Sequence, residues 1–228
     1  MSAFFRFPRT PHLAWLGPGS PRDDKLLAPD EAEALLAGEV IVEEKIDGAN
    51  LGLSVGDDGR VRAQNRGKYL ELDALPPQFA PLGRWLAPRE EALVRALGSE
   101  LIVFGEWCYA VHSVEYTRLP DWFVAFDVYD LRAARFWSVA RRNALTSALG
   151  LAVVPLVARG HFDLDGLRAL FGPSAVSDGP SEGLYIRREE GDHLLARAKL
   201  VRPEFVQQID AHWSKRALRT NRLASPAP

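Results

Sequence analysis

Residues 39–55 read EVIVEEKIDGANLGLSV, and this stretch is the most informative about the fold. Two segments rich in β-branched and apolar residues flank an Asp-Gly step, which is typical of two strands joined by a tight turn. We therefore predict strands over residues 39–45 and 49–55. Strand alternation places Lys45 and Asp47 on one face, and Gly48 lets the backbone turn sharply or approach a ligand closely. A charged edge strand that ends in a hairpin turn explains the same residues without any chemistry.

The rest of the chain mixes strands and helices without regular alternation. The pattern predicts further strands at residues 60–65, 101–108, 122–129, 152–157, 183–187 and 196–201, and helices at residues 29–38, 88–98, 139–149, 163–171 and 203–217. Residues 76–89 are rich in proline and are predicted to be irregular. This order favours an α+β fold with antiparallel sheets over a doubly wound parallel sheet.

Length and composition exclude several classes of protein. The chain has 228 residues, of which 47% are hydrophobic and 25% charged, as in a folded domain. A single cysteine, Cys108, excludes an intrachain disulfide and a multi-cysteine zinc module. No apolar run reaches the length of a signal peptide or a membrane span, so we expect a cytoplasmic protein with no membrane partner. A net charge of -2 argues against a DNA-coating protein but permits a local basic groove.

Lysine is scarce in this chain. Only five of the 28 basic residues are lysines, and the remaining 23 are arginines. A GC-rich coding sequence explains that bias. Its useful consequence is that any lysine chemistry has five candidates, which are Lys25, Lys45, Lys68, Lys199 and Lys215.

Four other polar motifs interrupt predicted apolar strands or stand at their ends. They are Gly105-Glu106, Phe126-Asp127, Glu182-Gly183 and the pair Arg197 and Lys199. Burying a lone carboxylate is costly unless it binds something. Each motif alone is also typical of an ordinary salt bridge or a strand edge. What distinguishes them is their order along the chain after Lys45-Ile46-Asp47-Gly48.

In that order the motifs resemble those of the covalent nucleotidyltransferases, the polynucleotide ligases and mRNA capping enzymes. Within this superfamily the chain is similar to ATP-dependent RNA ligases of the phage type that seals nicks in duplex RNA. The resemblance spans residues 40–202. It implies two mainly antiparallel sheets flanked by helices, ATP and Mg²⁺ or Mn²⁺ as cofactors, and RNA with 5′-phosphate and 3′-hydroxyl ends as substrate.

The resemblance also implies a role for individual residues. Lys45 is the expected nucleophile that forms lysyl-AMP, with Asp47, Glu182 and Lys199 as the other catalytic residues. Glu182 is expected to hold the divalent cation or to position the lysine. The expected nucleotide contacts are Glu44 at the adenine edge with Ile46 beside it, Asn50 near the reactive phosphate, Arg66 on the ribose or the 5′-phosphate, Glu106 on a ribose hydroxyl, Phe126 stacked on adenine, and Arg197 and Lys199 on the triphosphate.

One of these positions departs from the family pattern. Arg197 stands where relatives carry a lysine, and its planar guanidinium changes the geometry while keeping the charge. The basic pair and a bound metal are expected to lower the pKa of the Lys45 amine.

The C-terminal region is predicted to belong to the same domain as the core. We predict a nucleotidyltransferase domain over residues 1–202 and a basic helix and tail over residues 203–228, with no second domain. Lys215, Arg216 and Arg219 lie on a solvated helix or on a surface that meets RNA phosphates. An end-healing kinase or phosphatase is a further expected partner. The alternatives are a minimal DNA ligase, a capping-type nucleotidyltransferase and an inactive nucleotide-binding or RNA-binding relative.

Overall fold

The computed structural model of the protein describes residues 4–19, 26–206 and 218–225. Its helices within these ranges are α1 (Pro29–Leu36), α2 (Leu82–Leu86), α3 (Glu90–Leu97), α4 (Val139–Ala148), α5 (Leu164–Ala169) and α6 (Pro203–Val206), with a 3-10 turn at Pro77–Phe79. Its strands are β1 (Val40–Glu44), β2 (Ala49–Val55), β3 (Val61–Gln64), β4 (Leu101–Trp107), β5 (Phe123–Asp130), β6 (Arg135–Phe136), β7 (Ala152–Val153), β8 (Leu156–Gly160), β9 (Gly183–Glu190) and β10 (His193–Val201). None of the helices in these ranges is both long and apolar enough to cross a membrane.

The strands form two sheets. The first has four strands in the order β10-β9-β1-β8, and each neighbouring pair is antiparallel. The second has the order β3-β2-β4-β5-β6, again antiparallel, and β7 pairs with β5 in parallel. The predicted α+β fold with two mainly antiparallel sheets flanked by helices is confirmed.

The predicted strand over residues 152–157 is wrong in one respect, because the structure divides it into two. Ala152 and Val153 pair with β5 in the second sheet, whereas β8 pairs with β1 in the first. Pro155 lies between the two pieces and has no N–H to donate to a ladder. The chain therefore leaves one sheet at this proline and enters the other.

Residues 76–89, predicted to be irregular, instead contain the 3-10 turn and helix α2. Leu82, Trp85 and Leu86 are buried, and their spacing of three and four residues forms one helical face. Three of the four prolines in this segment, Pro76, Pro77 and Pro81, stand at the start of these short elements, where a missing N–H costs little.

Three apolar clusters fill the two outer faces and the space between the sheets. Alternation along the strands explains this arrangement, since successive side chains point to opposite faces. In β1, Val40 and Val42 pack against α1 and α5 outside the first sheet. Ile41, Glu43 and then Lys45 therefore face the space between the sheets, which is where the candidate site lies.

Buried ion pairs cross the space between the sheets. Arg142 of α4 binds both carboxylate oxygens of Glu43 at 2.6 and 3.2 Å. Asp127 of β5 accepts from Arg187 at 2.6 Å and from Arg197 at 2.5 Å. This inter-sheet ion network explains the lone aspartate in an apolar strand, because its charge is paired twice in the core.

Candidate active site

A cavity of about 440 Å³ opens beside Lys45, within the usual size range of small-molecule sites. Residues of both sheets line it. Nine of the eleven residues predicted for catalysis or nucleotide binding are among its lining residues: Glu44, Lys45, Ile46, Asp47, Asn50, Arg66, Glu106, Phe126 and Lys199. Glu182 reaches the site through its contact with Lys45, whereas Arg197 lies elsewhere.

Lys45 follows directly after β1, and its neighbours are set by the pairing of β1 with β9. Glu44 is opposite Leu184, so Lys45, the residue just beyond β1, faces Gly183 at the start of β9. The Lys45 backbone N–H donates to the Gly183 carbonyl at 2.9 Å, and its amine forms an ion pair with Glu182. A Cβ at Gly183 would collide with the backbone of Leu200, so glycine permits this close approach.

Three carboxylates surround the Lys45 amine and control its pKa. Burial alone would lower this pKa, but the charges of Glu182, Asp47 and Glu106 outweigh burial and raise it above its usual value. The expectation that neighbouring cations lower the pKa of Lys45 is therefore wrong for the free protein. The physical reason is that acidic groups, rather than the basic pair, dominate the surroundings of the amine.

Two of these carboxyl groups have raised pKa values. Burial raises the pKa of Glu106 to about 8, with Lys45 opposing the rise and Asp47 adding to it. Burial likewise raises the pKa of Glu182 to about 7, although its ion pair with Lys45 favours the charged form. Both groups therefore change protonation state near neutral pH, which is the range in which acid–base chemistry is useful.

Hydrogen bonds hold both the backbone N–H and the side-chain carboxylate of Asp47. Its backbone N–H donates to the Tyr116 hydroxyl at 2.7 Å, and its carboxylate accepts from the Ser113 N–H at 2.6 Å. The next residue, Gly48, has no room for a side chain, since a Cβ there would lie 2.8 Å from the Trp107 carbonyl oxygen. The Asp-Gly step is thus a tightly packed turn rather than a free hairpin.

Asn50 and Glu106 face one another across β2 and β4, and both have buried polar atoms. Both amide atoms of Asn50 and the Oε2 of Glu106 lack a hydrogen bond within the described part of the chain. Buried polar atoms are nearly always paired in folded proteins. Since both residues line the cavity, these atoms are available to a ligand that enters it.

An aromatic wall closes another side of the cavity. Phe126 makes an edge-on contact with Phe7 at 5.2 Å between ring centroids and lies 6.4 Å from Tyr185. Phe7, Arg9 and Thr10 belong to residues 4–13, an N-terminal segment that we call the strap. The strap adds to the edge of β10, where the Leu13 N–H donates to the Lys199 carbonyl at 2.8 Å.

The sequence of the strap does not by itself predict a function. It has neither helical nor strand periodicity over enough residues, and its prolines are typical of a loop. The alternation of Phe5 and Phe7 with the exposed Arg6 was the one available signal that the segment has an inner face.

Arg197 is not among the residues that line the cavity, and its predicted contact with the triphosphate stays a prediction. Its guanidinium binds the buried Asp127 carboxylate and lies over the rings of Phe7 and Phe136, at 4.5 and 4.2 Å from their centroids. Its partner in the motif, Lys199, does line the cavity. The arginine therefore belongs to the inter-sheet ion network in this structure.

Glu44 contributes to the cavity wall, but its carboxylate points elsewhere. The Ser174 hydroxyl and the Ala175 N–H donate to its two oxygens at 2.5 and 2.9 Å. Alternation explains this orientation, since Glu44 is one residue before Lys45 and its side chain projects from the opposite face. Both carboxylate oxygens already accept hydrogen bonds within the protein, and the predicted adenine contact of Glu44 stays a prediction.

The remaining predicted residues concern metal and RNA binding. Lys215 and Arg216 lie outside the described residues, and Arg219 is exposed and paired with Glu115. Among the residues that the structure describes, no three His, Cys, Asp or Glu side chains are grouped so that they could hold a metal ion by themselves.

The model of one protein family matches most of the chain. Its description is RNA ligase, and it matches residues 38–201. No curated protein sequence matches the chain significantly.

Solved structures share the fold at low sequence identity. A substituted form of the Naegleria gruberi RNA ligase with ATP and Mn is 18% identical, with a TM-score of 0.65 over 92% of this chain and 60% of that one. A second substituted form with ATP and Mn is 20% identical, with a TM-score of 0.64 over 89% and 64% of the two chains. The same ligase with PPi is 19% identical, with a TM-score of 0.63 over 91% and 65%. The chain thus spans less than two thirds of the length of these proteins.

Proposed function

The chain belongs to the RNA ligase family, and we propose that it is an ATP-dependent ligase that joins 5′-phosphate and 3′-hydroxyl ends of RNA through lysyl-AMP and RNA-adenylate. The observation that carries the proposal is the position of Lys45. Its amine contacts Glu182 at the edge of a cavity in which Asn50 and Glu106 present polar atoms that have no partner among the described residues.

The first proposed step transfers AMP from ATP to the enzyme. The Lys45 amine attacks the α-phosphorus, a nitrogen–phosphorus bond forms, and the bond from the α-phosphorus to the bridging oxygen of pyrophosphate breaks. The amine must lose a proton first, because it is protonated in the free protein. Glu182 contacts that amine and has a pKa of about 7, so we assign it as the proton acceptor.

Two further steps would complete sealing. The 5′-phosphate of the RNA attacks the phosphorus of lysyl-AMP, which returns the lysine and gives RNA-adenylate. The 3′-hydroxyl then attacks the 5′-phosphorus, a phosphodiester forms and AMP leaves. Transfers of this kind depend mainly on positioning and on charge stabilisation.

The cavity residues supply the required contacts in this proposal. Phe126 offers a ring face for the base, Glu106 an acceptor for a ribose hydroxyl, and Asn50 an amide for the phosphates. Arg66 and Lys199 contribute positive charge at the cavity wall. Arg197 has no direct role here, because the inter-sheet ion network already binds it.

The proposed cofactors include Mg²⁺ or Mn²⁺. The carboxylates of Glu182, Asp47 and Glu106 are oxygen donors of the type such ions prefer, and they interact with one amine. The described residues offer no group of three ligands, and Glu182 or Glu106 would hold such an ion. When bound, it would neutralise charge on the phosphates.

A role in RNA repair is also part of the proposal. The enzyme needs a 5′-phosphate and a 3′-hydroxyl, so breaks with other ends require a kinase or phosphatase to act first. The basic residues Lys215, Arg216 and Arg219 are proposed to contact the RNA backbone, and such binding weakens steeply with salt.

A sealing assay with matched nicked duplexes tests the proposal. The full chain is incubated with ATP or GTP, Mn²⁺ or Mg²⁺, and nicks that carry RNA or DNA on the reacting strand. We expect ATP-dependent sealing of RNA and its loss in Lys45→Arg. Sealing of DNA nicks but not of RNA nicks would identify the protein as a DNA ligase. Covalent nucleotide transfer from GTP but not from ATP would identify it as a capping-type enzyme. Nucleotide binding without any covalent AMP would assign an inactive relative.

A further inference from the structure

Residues 218–225 fold back onto the loop of residues 108–119, and we call these two segments the clasp and the clasped loop. Backbone hydrogen bonds of 2.8–3.0 Å join them along their length, from the Val111 N–H to Arg219, from Asn221 to Tyr109, from Arg222 to Tyr116, from Leu119 to Arg222 and from Ala224 to Leu119. The clasp is thus paired with the loop much as a short strand pairs with its neighbour.

Asn221 is the buried centre of the clasp, with 3% of its surface exposed. Its side-chain oxygen accepts from the Tyr116 N–H at 2.8 Å, and its amide nitrogen donates to the carbonyls of Cys108 and Ala110 at 2.8 and 3.1 Å. One side chain therefore satisfies backbone groups near both ends of the clasped loop. Without it, those groups would be buried and unpaired.

The clasped loop in turn holds Asp47. The Tyr116 hydroxyl accepts from the Asp47 N–H, and the Ser113 N–H donates to the Asp47 carboxylate. Tyr116 is the link between the two contacts, since its backbone binds Asn221 and its hydroxyl binds Asp47. Asp47 stands two residues after Lys45 and is one of the charges that set the pKa of its amine.

We propose that Asn221 is a positioning residue for the Lys45–Asp47 turn, acting from a distant part of the chain through Tyr116. The clasp holds the loop, the loop holds the Asp47 peptide, and that peptide sets the direction from which the amine meets the α-phosphorus. This inference deepens the proposed function and rests on it, because the step that it affects is the formation of lysyl-AMP.

The test compares Asn221→Ala with Thr220→Ala as a matched control. Thr220 is the neighbouring residue of the clasp and is exposed. We expect Asn221→Ala to slow lysyl-AMP formation at saturating ATP by about 10- to 100-fold, in line with small displacements of a reacting group. The dissociation constant for ATP should change by less than about threefold. Thr220→Ala should behave as the wild type in both measurements.

A double-mutant cycle separates positioning from simple destabilisation. Tyr116→Phe removes the hydroxyl that binds Asp47 but keeps the backbone N–H that binds Asn221. If Asn221 acts through Tyr116, each single variant slows adenylate formation and the double variant is little slower than the slower single one. Independent effects that multiply would overturn the proposal. Rates are compared at a temperature where thermal melts show every variant folded.

Hydrogen–deuterium exchange provides a readout that needs no activity. In Asn221→Ala the peptide that contains Asp47 and the clasped loop should exchange faster, while β9 should be unchanged. Protection of the Asp47 peptide equal to wild type in folded Asn221→Ala would overturn the proposal. Absence of lysyl-AMP in the wild type would instead overturn the proposed function, and the exchange experiment would still decide whether the clasp holds the turn.

Discussion

At the scale of single residues, the groups around Lys45 bind its amine and also keep that amine protonated. The amine forms an ion pair with Glu182, and Asp47 adds negative charge nearby. This arrangement orients the lysine but keeps it protonated, and a protonated amine is not a nucleophile. In the proposed reaction the Lys45 amine must therefore lose a proton before it attacks ATP.

The rate of lysyl-AMP formation should accordingly depend on the ionisation of Glu182. Its pKa of about 7 means that the carboxylate that can accept a proton becomes more abundant as pH rises through 7. We expect the single-turnover rate to increase through this range and then level off. Glu182→Gln should be slower by about 100-fold or more and should lack the inflection near pH 7. An inflection that persists in Glu182→Gln would assign the titration to another group.

At the scale of elements, the two sheets are joined by charge as well as by apolar packing. Arg187 of β9 is fully buried and binds Asp127 of β5, so it connects strands of different sheets. A buried charge that loses its partner is strongly destabilising, whereas an exposed ion pair contributes little. The free energy of unfolding of the protein should therefore depend on this arginine.

Replacing Arg187 should destabilise the fold far more than replacing an exposed arginine. We expect Arg187→Met to reduce the free energy of unfolding by about 3 kcal/mol, because it leaves buried Asp127 and Glu43 with less positive charge. Arg95→Met serves as the control, since Arg95 pairs with Glu91 on the exposed face of α3 and should cost less than about 1 kcal/mol. Urea denaturation at constant pH measures both, and equal losses would contradict the role of the network.

The strap is a second element whose role is testable. Phe7 is buried against Phe126 and lines the cavity, whereas Phe4 packs on Tyr69. We expect Phe7→Leu to weaken ATP binding by about tenfold, because the aromatic wall loses a ring next to the proposed base site. Phe4→Leu, the same change in the same segment, should leave the affinity unchanged. Calorimetric titration of ATP makes the comparison, and equal affinities in the two variants would exclude the strap from the nucleotide site.

At the scale of the whole molecule, the sequence predicted the features that depend on the periodicity of one segment or on the order of motifs along the chain. β2 begins and ends at the predicted residues, and Lys45, Asn50, Glu106 and Lys199 line one cavity as expected. These residues lie in periodic strands or in motifs with fixed spacing. Once the strands pair, these side chains come together at one cavity.

Other features depend on which strands become neighbours, and spacing along the chain does not determine that. The two partners of Asp127 lie 60 and 70 residues away, and Asn221 lies 105 residues from Tyr116. The sign of the pKa shift of Lys45 depends likewise on three carboxylates from separate segments. Prediction from sequence therefore located the candidate nucleophile, Lys45, but not the carboxylates that raise the pKa of its amine.

The central claim is that Lys45 is a nucleophile toward ATP, and intact-mass analysis with peptide mapping tests it most directly. The full chain is incubated with ATP and Mn²⁺ or Mg²⁺, beside Lys45→Arg, which retains a positive charge for Glu182 but no nucleophilic amine. We expect one AMP per chain, located on Lys45 and absent from the variant. A wild-type protein without an adduct, or AMP on any of the other four lysines, would contradict the account.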